Sequence, residues 1–253
     1  MTYFIIIVAN VIVGAFVGLT GVAGFLLPML YAGGLQMSVP EGLSLSFAAF
    51  VLSGILGAIN YKKAGNMDLS FGIRLSLGSL IGAILGVKLN LIIPEEQVKV
   101  LLYFVVLLSG ISILVRKEQK DKEKQHGFLM KEHLLVTILL GFVTGSICAL
   151  SGAGGPILVM PLLVVFGIPV RTAVGVALFN SIFIGIPACI GYMANCNWIA
   201  LLPIFVIALA AHGIGVYYGS LNAVRINQAV LKKGIAIFSI CIAVWKLMGS
   251  FMG

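Results

Sequence analysis

Two short stretches carry the residues that can do chemistry: "TGVAG", Thr20 to Gly24, and "SGAGGP", Ser151 to Pro156. Each lies between apolar runs. Glycine and proline interrupt a helix, and a helix that restarts presents N–H groups with no internal partner. Aligned peptide dipoles add about half a positive charge at that end. Two restarted helices can therefore hold an oxyanion with backbone alone, without a buried lysine or arginine. Ser151 can cap the helix that follows it or donate its O–H to an oxyanion, and Thr20 stands at the matching place. The candidate binding residues at the breaks are Thr20, Gly21, Gly24, Ser151, Gly152, Gly154 and Gly155. Pro156 suits the first turn of a helix, where its missing N–H costs nothing.

Other polar residues interrupt apolar runs. Ser44 and Ser46 lie in "LSLSF", and Asn180 and Ser181 in "LFNSIF". Ser46 and Asn180 fall in roughly matching segments and are candidates to complete the site. Asn180 serves equally well as a hydrogen bond to a neighbouring helix. His212, in "AAHGIG", is the one histidine inside an apolar run. An ionisable group within the membrane is a functional candidate by default, with a helix-packing hydrogen bond as the alternative. The acidic residues Glu41, Asp68, Glu95 and Glu96 sit at loops, so no buried carboxylate offers a proton or cation site. Arg74, Lys88, Lys99 and Lys246 lie nearer segment ends, where long side chains reach the interface. The four cysteines form no CxxC, and their spacing points to neither a metal site nor a disulfide framework. No cofactor is expected.

The elements that position these residues are membrane helices. The chain is 60% hydrophobic and 9% charged, where soluble domains carry roughly 25% charged residues. Of the 24 acidic and basic residues, 10 fall between Arg116 and Glu132. The remaining runs are continuous rather than alternating, which points to an all-α polytopic membrane protein and not a β-barrel. Met1 to Phe4 carries no charged side chain, so the first run reads as a retained segment rather than a signal peptide. The net charge of +8 reflects loop lysines and arginines biased to the cytoplasm, and nucleic acid is not an expected partner.

Candidate segments are Tyr3–Leu19, Phe25–Gly33, Leu43–Asn60, Leu69–Ile92 and Gln97–Val115, then Leu134–Leu150, Ile157–Phe166, Thr172–Tyr192, Trp198–Leu221 and Gln228–Met248. The two sets have the same order of long run, glycine break, short run and three long runs. An offset of 131 carries Gly14, Thr20, Gly21 and Gly24 onto Gly145, Ser151, Gly152 and Gly155. Beyond the break an offset of 133 carries Gly42, Leu45, Gly82 and Gly86 onto Gly175, Leu178, Gly215 and Gly219. The expected division is a first repeat over 1–115, a charged cytoplasmic linker over 116–133 and a second repeat over 134–253. Gly82 with Gly86, and Gly215 with Gly219, are spaced for helix packing, whereas adjacent Gly154 and Gly155 before a proline suit a break.

Corresponding loops carry opposite charge bias. Lys62 and Lys63 follow the third segment, while the matching "YMANCN" has no basic residue; Arg171 and Arg225 face unmatched first-half loops "QMSVPE" and "IIPEE". The positive-inside rule then sets the halves in opposite orientations, each with a short re-entrant helix. Treating Tyr3–Gly33 as one broken helix gives instead a parallel arrangement, with Arg171, Arg225, Lys232 and Lys233 outside.

At these residues the sequence resembles the TauE/SafE family, the sulfite exporter and toluene-sulfonate uptake permeases. The matching features are two glycine-rich breaks followed by "P-x-L", in "GLTGVAGFLLPML" and "GSICALSGAGGPILVMPLL", and the segments "EGLSLSFAAF" and "AVGVALFNSIF" after them. The first break, "GVAGF", has fewer glycines than the family pattern often shows. The resemblance implies a plasma-membrane transporter of sulfur-containing anions such as sulfite or organosulfonates, with a small anion and the bilayer as partners; a homodimer is one option for its assembly. The expected mechanism is alternating access around a midplane site, with export favoured by a negative-inside potential at about 2.3 kcal/mol per charge per 100 mV. The rivals are a channel-like anion facilitator, an intramembrane serine hydrolase pairing Ser151 with His212, and a scaffold.

Overall fold

The computed structural model describes residues 2–21, 23–115 and 133–222, together with 233–234, 236–237, 240–241, 243–245 and 247–248. The charged linker over 116–132, Arg225, Lys232, Lys246 and much of Gln228–Met248 lie outside the described residues. Among the described residues before 223 there are nine helical elements: α1 (Thr2–Thr20), α2 (Ala23–Gly34), α3 (Val39–Lys63), α4 (Leu69–Ile92), α5 (Glu95–Val115), α6 (Leu134–Ser151), α7 (Gly155–Val165), α8 (Val170–Met193) and α9 (Trp198–Asn222). No strand occurs among the described residues. Six of the helices, α1, α3, α4, α6, α8 and α9, are long and apolar enough to cross a bilayer, as an all-α polytopic membrane protein requires. The 25 residues of α3 make about 37 Å of helix, enough for a hydrocarbon core of about 30 Å.

Local chemistry sets the ends. Ser38 caps α3 in a reciprocal box: its Oγ accepts from Glu41 N–H at 3.4 Å and Glu41 Oε2 accepts from Ser38 N–H at 3.1 Å. Asp68 caps α4 by accepting from Phe71 N–H at 3.0 Å. The element after the first break is irregular: α2 opens with a tight 3-10 turn, Ala23–Phe25, and closes with a widened π turn, Met29–Gly34.

Within a bilayer the lipid is as apolar as the side chains, so helices associate through close packing of small residues. A Cβ at Gly14 would strike the carbonyl of His212, and one at Gly215 or Gly219 the carbonyls of Val11 and Ala15, which fastens α1 to α9. In the same way Gly78, Gly82 and Gly86 lie on the carbonyls of Ile138, Phe142 and Ser146, and Gly141 on that of Leu75, which fastens α4 to α6. Residue numbers rise together in both pairs, so each pair runs parallel. The third large contact is different. Gly54 of α3 meets Leu178 and Ile182 of α8, while Gly185 meets Val51 and Phe47. Numbers rise on one helix as they fall on the other, so α3 and α8 run antiparallel.

The register of these contacts repeats. Gly14 lies on His212 and Gly145 on Ser79; Gly215 lies on Val11 and Gly82 on Phe142; Gly219 lies on Ala15 and Gly86 on Ser146. These are the same contacts after offsets of 131 and 133. Gly82, Gly86, Gly215 and Gly219 thus do the packing expected of them.

Candidate functional site

Both breaks form where the glycine spacing predicts them, and they end their helices in one way. α1 closes with Gly21 in the left-handed region, φ 74°, its N–H donating to Val17 O at 2.7 Å. α6 closes with Gly152 at φ 74°, its N–H donating to Cys148 O at 3.0 Å. Such φ values are strained for any residue with a Cβ. Thr20 and Ser151, the last helical residues, are fully buried, and each hydroxyl donates to the carbonyl four residues back, Phe16 O at 2.8 Å and Ile147 O at 2.7 Å.

This corrects one expectation. Ser151 does not cap the next helix: Gly154, at φ 80° and ψ 150°, is the cap of α7 and supplies no side chain. Ser151 Oγ instead accepts from Ala153 N–H at 3.3 Å, and its proton is committed to Ile147 O. With a glycine cap and Pro156 in the first turn, the N–H groups that open α7 have no side-chain acceptor.

The two breaks meet at a narrow cavity of about 10 Å³, room for about one water molecule. Val17, Gly21, Gly24, Phe50 and Ser53 line it from the first half of the chain, and Ala153, Gly154, Pro156, Ile157 and Ser181 from the second. No lining residue carries a formal charge. The Phe50 ring fills the space between the breaks: a Cβ at Gly24 would come within 2.6 Å of it, and one at Gly154 within 2.8 Å. Phe50 packs edge-on to Phe47 at 5.5 Å, and Phe47 stacks on Tyr192 at 5.8 Å. The Tyr192 hydroxyl donates to Ala149 O at 2.7 Å, which ties this aromatic stack to the last turn of α6.

Of the residues expected at the site, Gly21, Gly24 and Gly154 line the cavity, and His212 joins it through Ser53, whose Oγ lies 2.6 Å from Nε2 of His212. Thr20, Ser151, Gly152 and Gly155 build the breaks without lining the cavity; Gly152 packs on Leu43, and Gly155 on Ile184 and the Ser181 backbone. Ser46 donates to Gly42 O at 2.7 Å and also lies off the lining. Asn180, next to the lining residue Ser181, is fully buried, and among the described residues neither of its amide atoms has a hydrogen-bond partner. Ser151 and His212 are not paired; the histidine's partner is Ser53. Phe50 and Ser53 escape a reading of the sequence, because an aromatic and a serine inside an apolar run look like packing residues.

The chain matches the model of the family described as sulfite exporter TauE/SafE over residues 5–245. It is 24% identical to the probable membrane transporter protein YdhB of Bacillus subtilis, over 91% of this chain and 94% of that protein. It is 24% identical to a probable membrane transporter protein of Methanocaldococcus jannaschii, over 98% of this chain and 94% of that one. The probable membrane transporter protein YjnA of Bacillus subtilis is 29% identical, over 67% of this chain and 71% of that protein. No solved structure matches the chain.

Proposed function

The chain belongs to the sulfite exporter TauE/SafE family and is a multi-pass membrane transporter of a small molecule, and from that premise we propose that it carries sulfur-containing oxyanions, sulfite or organosulfonates, out of the cell across the plasma membrane. The observation that carries this reading is the cavity between the breaks. Ser53 and Ser181 bring hydroxyls to its wall, which in this state donate to Ala49 O and Leu178 O and in this reading turn to the anion. The helix that opens after Gly154 brings N–H groups with no side-chain acceptor. None of these fixes a strongly held salt bridge. Donors without a formal charge bind an anion firmly enough to select it and loosely enough to release it. Asn180 supplies an amide with no protein partner, and in this reading it turns toward the anion.

The mechanism is alternating access. A cavity with room for about one water does not admit a sulfonate, so the described state is the occluded one, with the Phe50 ring between the breaks. This closure favours a carrier over a channel-like facilitator. The pairing of α1 with α9 and of α6 with α4, together with antiparallel α3 and α8, supports two inverted halves, residues 1–115 and 134–253, joined by a cytoplasmic linker. Inverted halves present the same break to opposite sides of the bilayer, and rocking one against the other exchanges the open side.

The test is a ligand screen on purified protein in detergent, reading thermal shift with sulfite, sulfate, thiosulfate, sulfoacetate and taurine. Sulfite or an organosulfonate stabilises the protein in a saturable way. Stabilisation by cations or neutral solutes and by none of these compounds rejects the oxyanion reading. In proteoliposomes, counterflow of the stabilising anion then separates a carrier, which shows trans-acceleration, from a facilitator, which does not.

A further inference from the structure

Ser53 holds more than the wall of the cavity. Its Oγ lies 2.9 Å from Ala49 O and 2.6 Å from Nε2 of His212. A hydroxyl has one proton, and a carbonyl only accepts. When that proton goes to Ala49 O, Nε2 must donate to Ser53 Oγ, which leaves Nδ1 of a neutral ring as a bare lone pair. Among the described residues Nδ1 is buried with no partner at hydrogen-bonding geometry, while the Asn10 backbone faces the ring and offers a carbonyl to a proton placed on it.

The offset of 133 places Ser79 where His212 stands in the other half, and Ser79 satisfies its hydroxyl on the Gly141 carbonyl at 3.0 Å. Tying this position to a neighbouring helix therefore needs no more than a serine. Histidine adds a group that takes up a proton.

Among the described residues the surroundings offer this proton no fixed counter-charge. α1 brings Asn10 and Gly14, α3 brings Ser53, with Leu52 against Gly213, and α2 brings Tyr31, reached through Asn10 at 2.7 Å. α1, α2 and α9 contain no Asp, Glu, Lys or Arg, and those of α3 (Glu41, Lys62 and Lys63) stand at its ends. An imidazolium alone in this place is costly, and so is an oxyanion alone in the cavity one hydroxyl away; each offsets the other.

We infer that His212 is the coupling site of the transport cycle, taking up one proton as the oxyanion enters the cavity and releasing it as the oxyanion leaves. The inference rests on the oxyanion reading of the cavity and adds its co-transported ion. The proton cancels one negative charge, so the membrane potential then drives export only of a dianion, and a gradient acidic outside drives the anion inward. The proton comes from water and fills the Nδ1 lone pair. Nε2–H keeps its bond to Ser53 Oγ, the Ser53 proton swings from Ala49 O to the anion, and no bond between heavy atoms forms or breaks. Release returns the proton to water.

The experiment uses the full chain in proteoliposomes with the membrane potential clamped at zero. Labelled thiosulfate, whose charge does not change over the pH range used, is the probe, with sulfite as a second. Wild-type vesicles with an acidic outer medium accumulate the anion, up to ~10-fold for a gradient of one pH unit if one proton accompanies each anion. His212→Gln keeps a donor toward Ser53 and cannot titrate. Its vesicles show measurable counterflow, which reports a folded carrier, and an accumulation ratio near one. A wild-type ratio near one with active counterflow overturns the coupling alone, and so does His212→Gln retaining the gradient response. Absence of wild-type counterflow with either anion rejects the oxyanion reading and the coupling with it.

Discussion

Ser151 and Asn180 differ in what their polar atoms already hold. Ser151 spends its proton on Ile147 O and its lone pair on Ala153 N–H; Asn180 spends neither amide atom. Ser151→Ala therefore loses two local hydrogen bonds, lowering stability by about 1–2 kcal/mol, and changes anion affinity less than stability. Asn180→Ala removes an amide with no bond to lose in the free protein, and weakens anion binding by roughly 10-fold with little change in melting temperature. Paired titrations and thermal melts of the two variants check this; intact affinity in Asn180→Ala with weakened affinity in Ser151→Ala reverses the assignment. The sequence marks the breaks because glycine and proline leave a chemical trace wherever a helix stops. It does not mark Phe50 or Ser53. Ser53 falls on a row with Ser46 and Asn60, spaced by seven along α3, but such a row hydrogen-bonds neighbouring helices as readily as it lines a cavity, and a serine bonded to the i−4 carbonyl, as Ser53 is to Ala49, occurs equally in plain packing.

At the scale of helices, glycine spacing decides which pairs approach closely, and the offsets of 131 and 133 make the two pairs copies of each other. Gly82 lies on the Phe142 carbonyl and Gly215 on the Val11 carbonyl. A methyl at either position must push two backbones apart, with no flexible side chain to yield. Gly82→Ala and Gly215→Ala each destabilise by about 1–3 kcal/mol, and by similar amounts. At Gly34 a Cβ would meet only the Leu30 side chain at 3.6 Å, so Gly34→Ala is the mild control. Melts of the three variants in detergent measure this, and a large loss at Gly34 with none at Gly82 and Gly215 contradicts the packing. The order of the described helices and the offsets that relate their glycines were thus legible in the sequence, because periodic glycines must match a partner surface; which helices pair was not. The irregular α2 was not: no local propensity in Ala23–Gly34 marks its 3-10 start and π end.

Over the whole molecule, the helix directions sort the loop charges onto two faces. Gly175, near the start of α8, packs on Asn66 and Tyr61, so Arg171 shares a face with Lys62 and Lys63 at the end of α3. Glu41 begins α3 on the other face, beside Cys196 in the turn between α8 and α9. The positive-inside rule puts the basic face in the cytoplasm and Cys196 outside. Burial and then the Glu41 carboxylate push the Cys196 thiol up, against a smaller opposing effect of its hydrogen bond with Ser44. A raised thiol pKa means less thiolate at neutral pH, and the thiolate is what reacts. A membrane-impermeant maleimide added to intact cells therefore labels Cys196 slowly at neutral pH, and faster by up to ~10-fold per unit as pH rises toward the thiol's own range. The label disappears in Cys196→Ala. Labelling of Cys196 from inverted membrane vesicles but not from intact cells reverses the orientation. The break after α1 would then open toward the opposite side of the membrane.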